Sequence, residues 1–339
     1  MTVKPESKTL IIAEAGINHN ASVDLALQMI DVAKAAGADI VKFQTAVPEL
    51  VMTGAAPKAE YQKKTTGADE SQLAMTRRIH LPLDVWGRIK SHADRVGITF
   101  LSTAFDLTSF EVLETLDPPF VKIPSGEITN FPFLRRIGQT RRKVLLSTGM
   151  SNLGDVEAAL SVLTEYGTSR ADITLLHCNS SYPTPFADVN LRAMGTLKAA
   201  FGLPVGFSDH TPGIEACIAA VALGAVVVEK HFTLDRSLPG PDHLASVDPG
   251  ELRALVTALR NIEIALGSGL KQATSSDSPT KPVARKSIVA ARDIRRGETF
   301  SEENLCVKRP GTGISPMRWQ EIIGRSAVHD FLQDDLIEI

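Results

Sequence analysis

Short apolar runs recur along the chain, and each is followed directly by polar residues of the kinds that bind ligands or take part in chemistry. Eight such runs are present, at residues 10–13, 40–41, 99–101, 120–121, 144–146, 173–176, 203–207 and 225–228. Stretches with apolar residues at helical spacing separate them. This alternation predicts a parallel α/β sheet with helices outside, and eight strand–helix units predict a closed (β/α)8 TIM barrel.

A doubly wound open sheet is the alternative fold for such an alternation. That fold ordinarily has a GxGxxG turn after its first strand. Here the corresponding turn, residues 14–19, reads EAGINH. We therefore expect the barrel, whose chemistry lies at the C-terminal ends of its strands because the loops that lead into the helices are at that end.

Two segments interrupt the regular alternation. Residues 51–78 are longer than a strand-to-helix connection needs, which is typical of a lid or substrate clamp. Residues 268–282 are rich in Ser, Thr, Lys and Pro and have the composition of a linker. We predict a barrel domain at residues 1–267, then this linker, then a small C-terminal domain at residues 283–339.

The predicted C-terminal domain contains two strand-like segments, at residues 287–290 and 300–307, on either side of a turn. A domain of this size buries little apolar surface and is only marginally stable when it folds alone. We therefore expect it to pack on a partner surface.

The charges of the chain are nearly balanced, since 36 Lys and Arg stand against 39 Asp and Glu and the formal net charge is -3. The sequence has no basic stripe for nucleic acid and no apolar run of the ~18 residues that a membrane span needs. Residues 1–8 are polar, unlike a signal peptide. We expect a cytoplasmic protein with a small-molecule ligand, and neither nucleic acid nor a membrane as partner.

Basic and hydroxyl side chains follow several of the apolar runs. In a barrel they converge on one mouth, and they are Lys42, Thr103, Lys122, Ser125 and Ser147. Two ammonium groups with several hydroxyl donors are suited to binding a phosphate or carboxylate. The sequence therefore predicts an anion site, with solvated residues at the rim as the alternative.

His210 and His231 end neighbouring strands, so their imidazoles can share one divalent metal ion. Two nitrogen ligands favour Mn²⁺, Zn²⁺ or Co²⁺ over Mg²⁺. General acid–base catalysis and burial in the core are the alternative roles for these histidines. Asp209, Glu229 and Asp242 are candidates to orient the metal ligands or to accept hydrogen bonds from substrate hydroxyls.

Glu14, which ends the first run, and Glu127, which follows the fourth, are candidate acid–base carboxylates. Lys230 raises a rival chemistry, because a lysine at a barrel strand end can form a Schiff base with a carbonyl substrate. Strand alternation opposes this role. If His231 faces the barrel interior, its neighbour Lys230 points to the outer, helix-covered side.

Longer motifs at these strand ends resemble those of one enzyme family. They are IIAEAGINHN at 11–20, VKFQT at 41–45, KIPSGE at 122–127, STGM at 147–150, HCNSSYPTP at 177–185, GFSDH at 206–210, EKHFT at 229–233 and GPDH at 240–243. The chain resembles the bacterial sialic acid synthases, the N-acetylneuraminate synthase family that includes the legionaminate and pseudaminate synthases. The resemblance runs nearly end to end, since KRPGTG at 308–313 resembles their small antifreeze-like domain, called SAF, of β-clip fold.

This resemblance implies that phosphoenolpyruvate condenses with water and the open-chain aldehyde of an N-acylated mannosamine-type sugar, releasing phosphate by C–O cleavage. It implies that phosphoenolpyruvate is held by Lys42, Thr103, Lys122, Ser125, Ser147, Ser180 and Ser208. Residues 179–181 depart from the family pattern, but Ser180 keeps a hydroxyl donor. The implied contacts to the sugar are Gln44, Glu127, Tyr182 and Asp242. Glu14 would handle protons, and His210 and His231 would hold the metal that polarises the aldehyde.

The resemblance also implies a divalent metal, with Mn²⁺ as the expected ion and Mg²⁺ or Co²⁺ as alternatives. It implies a homodimer in which the SAF domain of one subunit covers the partner's active site and Arg309 reaches the acyl group of the sugar. We expect N-acetylneuraminate as product, from N-acetylmannosamine. The near alternative is N,N'-diacetyllegionaminate, from 2,4-diacetamido-2,4,6-trideoxymannose. Alternatives of another class are a Schiff-base aldolase or lyase, and an inactive barrel whose SAF domain binds carbohydrate.

Overall fold

The computed structural model describes residues 8–67 and 69–339, without the side chain of Lys64. The described chain divides into two compact units, of which the first ends at Ser268 and the second is Gly269–Ile339. In the part of the chain described, no helix combines the length and the apolar composition that crossing a membrane requires.

The first unit alternates strands with helices, as the apolar runs predict. Its strands are β1 (Leu10–Gly16), β2 (Ile40–Thr45), β3 (Thr99–Ala104), β4 (Val121–Ile123), β5 (Val144–Ser147), β6 (Ile173–Cys178), β7 (Val205–Asp209) and β8 (Val227–His231). Its helices are α1 (Val23–Ala36), α2 (Pro48–Val51), α3 (Glu60–Thr66), α4 (Gln72–Ile79), α5 (Trp86–Val96), α6 (Leu107–Glu114), α7 (Phe131–Thr140), α8 (Leu153–Glu165), α9 (Ala193–Phe201), α10 (Glu215–Ala222) and α11 (Pro249–Leu266). Short 3₁₀ helices lie at Leu83–Val85, Ser125–Glu127, Arg170–Asp172, Phe186–Asp188 and His243–Ala245.

The eight strands form one parallel sheet in the order β3, β2, β1, β8, β7, β6, β5, β4. The two strands at the ends of this order, β3 and β4, contact each other, so the sheet is a nearly closed barrel. The predicted fold class is confirmed. The register places Glu14 opposite both Lys42 and His231 on the adjacent strands.

Side chains inside the barrel lie in layers. An apolar layer is formed by Ile12, Ile40, Leu101, Leu145, Leu176 and Val227. Two residues further along the same strands stand Glu14, Lys42, Thr103, Ser147, Cys178 and Glu229. Since side chains of a strand alternate between its two faces, this second set points the same way as the first. A polar layer therefore lies on an apolar floor.

Residues of the opposite strand parity face the helices and form the main core. Examples are Ile11, Val41, Phe100, Leu146, Phe207 and Val228. Each large side chain of this kind, when buried, stabilises the fold by about 1.5–3 kcal/mol. Two observed strands continue past the predicted ones, since β1 ends at Gly16 and β8 at His231. There the backbone pairing extends to Gly16 with Phe43 and to His231 with Glu14.

Helix boundaries follow local sequence signals. The side chain of Ser22 caps the first turn of α1, and Gly37 ends that helix in the left-handed region that glycine tolerates best. Helix α11 begins with a capping box between Asp248 and Glu251, followed by a proline in the first turn.

The second unit has its own small core, around Ile288, Phe300 and Phe331. Its elements are α12 (Lys281–Ala284), β9 (Ser287–Ala290), β10 (Leu305–Lys308), a 3₁₀ turn at Pro316–Arg318 and α13 (Trp319–Ile322). β9 and β10 pair antiparallel. The predicted strand at 300–307 is wrong in its first half. Residues 301–304 turn instead, because Oδ1 of Asn304 accepts a hydrogen bond from the backbone N–H of Ser301 over 2.8 Å.

Candidate active site

A cavity of about 300 Å³ lies at the C-terminal ends of the barrel strands. It is lined by thirteen of the fifteen predicted site residues: Glu14, Lys42, Gln44, Thr103, Lys122, Ser125, Ser147, Ser180, Tyr182, Ser208, His210, His231 and Asp242. Glu127 is not among the lining residues, and its carboxylate accepts a hydrogen bond from Nδ2 of Asn130 over 2.5 Å. Arg309 belongs to the second unit, where its Nε donates to the carbonyl of Ala284 over 3.1 Å.

Two buried lysines line the cavity, and each is held by a hydroxyl group of the next strand. Nζ of Lys42 on β2 donates to Oγ1 of Thr103 on β3 over 3.0 Å. Nζ of Lys122 on β4 donates to Oγ of Ser147 on β5 over 2.7 Å. An ammonium group has three donors. Lys122 therefore keeps donors for a ligand, whereas Nζ of Lys42 also faces Glu14 and Glu229. This arrangement is suited to a phosphate or carboxylate group.

Two buried carboxylates balance the charge of the lysines. Oε2 of Glu14 lies 2.7 Å from Nζ of Lys42. Glu229 stands between both lysines, with its oxygens 3.5 Å from Nζ of Lys42 and 3.8 Å from Nζ of Lys122. It also accepts a hydrogen bond from Oγ of Ser208 over 2.9 Å. The sequence predicted that Glu229 orients the metal ligands or accepts hydrogen bonds from substrate hydroxyls, and it missed the pairing with both lysines. The i, i+2 spacing to His231 on β8 indicates the inward side chain that this pairing needs.

Burial changes the proton affinity of these four groups. It raises the pKa of Glu14 to about 7, although Lys42 acts in the opposite direction. For Glu229 the two lysines outweigh burial and lower the pKa. Burial lowers the pKa of Lys122, whereas the pKa of Lys42 is raised because the two carboxylates outweigh burial. Of these four groups, Glu14 is therefore the one suited to exchange a proton near neutral pH.

Gly149 lies close to the hydroxyl groups of two residues that line the cavity, Ser125 and Ser180. Its backbone N–H donates to Oγ of Ser125 over 3.0 Å. A Cβ at this position would lie 2.6 Å from Oγ of Ser180 and 2.7 Å from Oγ of Ser125. Real Cβ atoms essentially never approach other atoms so closely. The glycine is thus required for the two serines to stand this close to the backbone.

The two predicted metal ligands face each other across a short gap, with ring centroids of His210 and His231 5.4 Å apart. Nδ1 of His210 donates to the carbonyl of Asn179 over 2.5 Å, which leaves Nε2 with its lone pair. Nδ1 of His231 is buried without a hydrogen-bond partner. Burial lowers the pKa of His210 to about 4 and that of His231 well below its ordinary value.

Neutral imidazoles with free nitrogens are suitable metal ligands. Among the described residues, no group of three or more His, Cys, Asp or Glu is arranged to hold a metal ion. The two histidines therefore fit a divalent ion only as a pair, with water and substrate oxygens completing its coordination.

Aromatic rings cover the histidine pair. The ring of Tyr182 lies tilted against His210 with centroids 4.1 Å apart, and Tyr61 of α3 stacks on Tyr182 at 5.2 Å. Asp242 also lines the cavity, and burial raises its pKa to about 7. Tyr61 belongs to the segment predicted to be a lid, and this segment does form one wall of the cavity. Its other lining residues are Val51, Met52, Gln62, Gln72, Met75 and Thr76, with Ile79 and His80 directly after it.

Lys230 points away from the cavity, as strand alternation predicts. Its Nζ is completely buried against Oδ2 of Asp209 at 2.8 Å and the carbonyl of Thr211 at 2.5 Å. Sγ of Cys217 on α10 donates to the same carboxylate oxygen over 3.1 Å. Asp209 has the outer parity of β7 and does not line the cavity, so the predicted contact with substrate hydroxyls is wrong. Its Oδ1 accepts a hydrogen bond from the N–H of Thr211, directly after His210, over 2.9 Å. The Schiff-base alternative for Lys230 has no geometric support.

With a barrel, a polar cavity at its strand ends and a small C-terminal unit, the chain has the architecture of a two-domain barrel enzyme. The NeuB family model matches residues 29–271, and the SAF domain model matches residues 285–338. The chain belongs to the NeuB family, which confirms the resemblance to sialic acid and legionaminate synthases drawn from its motifs.

Two relatives are similar over nearly the whole chain, and one solved structure is similar over most of it. The N,N'-diacetyllegionaminic acid synthase of Campylobacter jejuni is 52% identical, over 97% of this chain and 99% of that protein. The N,N'-diacetyllegionaminic acid synthase of Legionella pneumophila is 44% identical, over 95% and 92%. The crystal structure of the N-acetylneuraminic acid synthetase of Leptospira borgpetersenii, in complex with citrate, is 33% identical with a TM-score of 0.70, over 81% and 90%.

Proposed function

We propose that the protein is an N,N'-diacetyllegionaminate synthase. It condenses phosphoenolpyruvate with 2,4-diacetamido-2,4,6-trideoxymannose and water, and releases phosphate. One observation supports this type of reaction: a single cavity contains the two lysine–hydroxyl pairs, Glu14 and the pair of histidines. Such a cavity places an anion next to a group that exchanges a proton at neutral pH.

The lysine–hydroxyl pairs bind the phosphate and carboxylate of phosphoenolpyruvate. Carbon 3 of the enol bonds to the aldehyde carbon of the sugar, while the carboxyl of Glu14 gives its proton to the aldehyde oxygen. Water then adds at carbon 2 and returns a proton to Glu14. As the C–O bond to phosphate breaks, the new hydroxyl group passes its proton to the departing phosphate oxygen and becomes the keto group, so the products are a 2-keto acid and hydrogen phosphate.

A divalent metal, Mn²⁺ with Mg²⁺ or Co²⁺ as alternatives, is part of the proposal, and His210 and His231 would hold it. When bound, such an ion withdraws electron density from a carbonyl oxygen and so stabilises the charge that develops there by several kcal/mol. The low pKa of both histidines supports this role, since each imidazole is neutral and keeps a lone pair for the ion.

The choice of acceptor sugar rests on similarity along the whole chain. The motifs leave N-acetylmannosamine as the first expectation and the trideoxy sugar as the alternative. The identity of 52% to one legionaminate synthase and 44% to another, against 33% to the N-acetylneuraminic acid synthetase, supports the trideoxy sugar instead.

A homodimer is also part of the proposal, with the SAF domain of one subunit over the cavity of the other. Large apolar side chains are exposed in the segments that follow strands β4, β5, β6 and β8, at Phe131, Met150, Phe186 and Leu244. In the second unit Met317 is 92% exposed. Burying such apolar surface favours association, and Arg309 would then reach the sugar from the partner.

The test measures phosphate released from phosphoenolpyruvate with Mn²⁺, in parallel with each acceptor and with none. The expected result is a higher kcat/KM with the trideoxy sugar than with N-acetylmannosamine, and no release without an acceptor. A preference for N-acetylmannosamine would make the protein a sialic acid synthase. No release with either sugar would contradict the proposed reaction.

A further inference from the structure

Apolar as well as polar residues line the cavity, and three of the apolar ones form a cluster. Ile17, Met75 and Ile79 form an apolar cluster separate from the main barrel core, and all three line the cavity. Each is more than nine-tenths buried. Ile17 follows β1, whereas Met75 and Ile79 are one turn apart on α4. These three residues are called the apolar patch below.

The patch extends from the reacting groups towards the inserted segment. A Cβ on Gly16 would lie 3.3 Å from His231 and 3.4 Å from Gln44 and Glu14, and Ile17 is the next residue. The other members of the patch belong to α4, outside the barrel strands. A sugar whose aldehyde carbon lies beside Glu14 and whose chain runs towards α4 has its far carbons along the patch.

The polar neighbours of the patch on α4 are already engaged. Oγ1 of Thr76 donates to the carbonyl of Gln72 over 2.9 Å. The side-chain amide of Gln72 in turn donates to Oε1 of Gln62 over 3.5 Å. On α4 a ligand hydroxyl thus meets only the remaining hydrogen-bonding capacity of Thr76 and Gln72, whereas a methyl group meets the apolar side chains of Met75 and Ile79.

We propose that the apolar patch determines the acceptor sugar by contacting the methyl groups at its C4–C6 end, and this inference rests on the proposed function. The trideoxy sugar carries a methyl group at C6 and an acetamido group at C4, where N-acetylmannosamine carries two hydroxyl-bearing carbons. A hydroxyl pressed against the patch loses water without gaining a partner. An apolar pocket of this kind discriminates by about 10- to 100-fold in kcat/KM.

The experiment compares two matched pairs of variants of the full-length protein, at saturating phosphoenolpyruvate and metal. Met75→Gln is compared with Met75→Leu, and Ile79→Thr with Ile79→Val. The readout is the ratio of kcat/KM for the trideoxy sugar to kcat/KM for N-acetylmannosamine. We expect the polar variants to lower this ratio by about 10-fold and the apolar variants to leave it within about 2-fold of the wild type.

Further measurements distinguish a change in sugar preference from general damage to the protein. The KM for phosphoenolpyruvate and the thermal unfolding midpoint show whether a variant is generally impaired. The Ile79→Thr and Ile79→Val pair differs by a hydroxyl in nearly the same shape, so it reports polarity even if Met75→Gln fails to fold. The 6-deoxy derivative of N-acetylmannosamine isolates the C6 methyl group, and we expect wild type to prefer it to the parent sugar.

The outcomes separate the inference from the proposed function. A wild type that prefers N-acetylmannosamine overturns both. A wild type that prefers the trideoxy sugar, with polar variants that keep its ratio, overturns only the role of the patch. Equal losses with both sugars also overturn it, since they would place the patch against the C2 acetamido group that both sugars share.

Discussion

Gly149 has no Cβ, and this leaves the space that the side chains of Ser125 and Ser180 occupy in the cavity wall. The hydroxyl oxygens of Ser125 and Ser180 stand so close to the backbone there that they leave no room for a methyl group. We expect Gly149→Ala to raise the KM for phosphoenolpyruvate at least about 10-fold, because losing one well-placed hydrogen bond to a charged group costs about 1.5–3 kcal/mol. Steady-state kinetics with phosphoenolpyruvate as the varied substrate measure this.

Gly195 supplies the control for that substitution. It lies in α9, and a Cβ there would meet nothing within 4 Å. Gly195→Ala should therefore leave the KM for phosphoenolpyruvate unchanged. Equal effects of the two substitutions would contradict the role given to Gly149.

His19 makes the stability of the protein dependent on pH. Its ring is buried near Phe43 and Trp86, its Nδ1 accepts from the N–H of Ala21, and burial lowers its pKa to about 3. An unfolded chain protonates histidine near pH 6.5, so between these values the unfolded state binds about one proton more. The contribution of His19 is thus fully present above about pH 6.5 and is lost progressively as the pH falls towards 3.

Urea unfolding at several pH values tests this effect. We expect His19→Gln to reduce the number of protons taken up on unfolding by about one between about pH 6 and 4. The same change at the exposed residue His329 is the control and should not reduce that number. A proton uptake that is identical in His19→Gln and wild type would show that His19 titrates normally in the native state.

His231 also allows a direct test of the metal proposal. Removing one of two protein ligands weakens binding of the ion, so His231→Ala should need at least about 10-fold more Mn²⁺ for half-maximal activity. His177→Ala is the control, because Nε2 of His177 donates to the carbonyl of Val189 and the residue does not line the cavity. A metal titration unchanged by His231→Ala would exclude the ligand role.

At the scale of elements, side chains of strands β7 and β8 alternate between the cavity inside the barrel and the helices outside it. Glu229 and His231 line the cavity, whereas Lys230 between them pairs with Asp209 under α10. The outer pair ties the two strands together next to both histidines. The alternation of β8 thus places a charged residue on each face, and each finds a partner there.

Breaking this outer ion pair should destabilise the barrel. Lys230→Met leaves the buried carboxylate of Asp209 without its counter-charge, which typically costs about 3–5 kcal/mol. Urea denaturation gives the free energy of unfolding. Lys90→Met removes an exposed i, i+4 pair with Asp94 and should change that free energy by less than about 0.5 kcal/mol. A similarly small loss for Lys230→Met would mean that the pair contributes little.

At the scale of the whole molecule, the proposed dimer makes each active site depend on two chains. Arg309 of one subunit would complete the sugar site of the other. We expect Arg309→Ala to raise the KM for the sugar much more than the KM for phosphoenolpyruvate. Kinetics with each substrate varied in turn separate the two effects, and equal losses would contradict the role.

Subunit mixing tests whether Arg309 acts across the dimer. Glu14→Gln homodimers and Arg309→Ala homodimers should both be weak. After exchange of subunits, a mixed dimer has one barrel with Glu14 that faces a partner with Arg309, so activity should recover to about a quarter of wild type. No recovery despite formation of mixed dimers would show that Arg309 serves its own barrel or none.

The sequence by itself determined the features that depend on neighbouring residues. The eight apolar runs predicted the barrel, because strand and helix periodicities are local patterns. The motifs placed Lys42, Lys122, His210 and His231 at the strand ends, and parity alone predicted the outward side chain of Lys230. The family followed from the same motifs.

Only the tertiary structure decided which distant side chains meet. Glu229 on β8 lies between Lys42 on β2 and Lys122 on β4. These three strands are not adjacent in the sheet, so their side chains meet only because the sheet curves into a barrel, which no local pattern encodes. The apolar patch joins Ile17 to α4 across an inserted segment, and the need for Gly149 arises from Ser180 on another loop. Such contacts follow from strand register and loop packing, which are set by the summed interactions of the whole fold and not by residues adjacent in the chain.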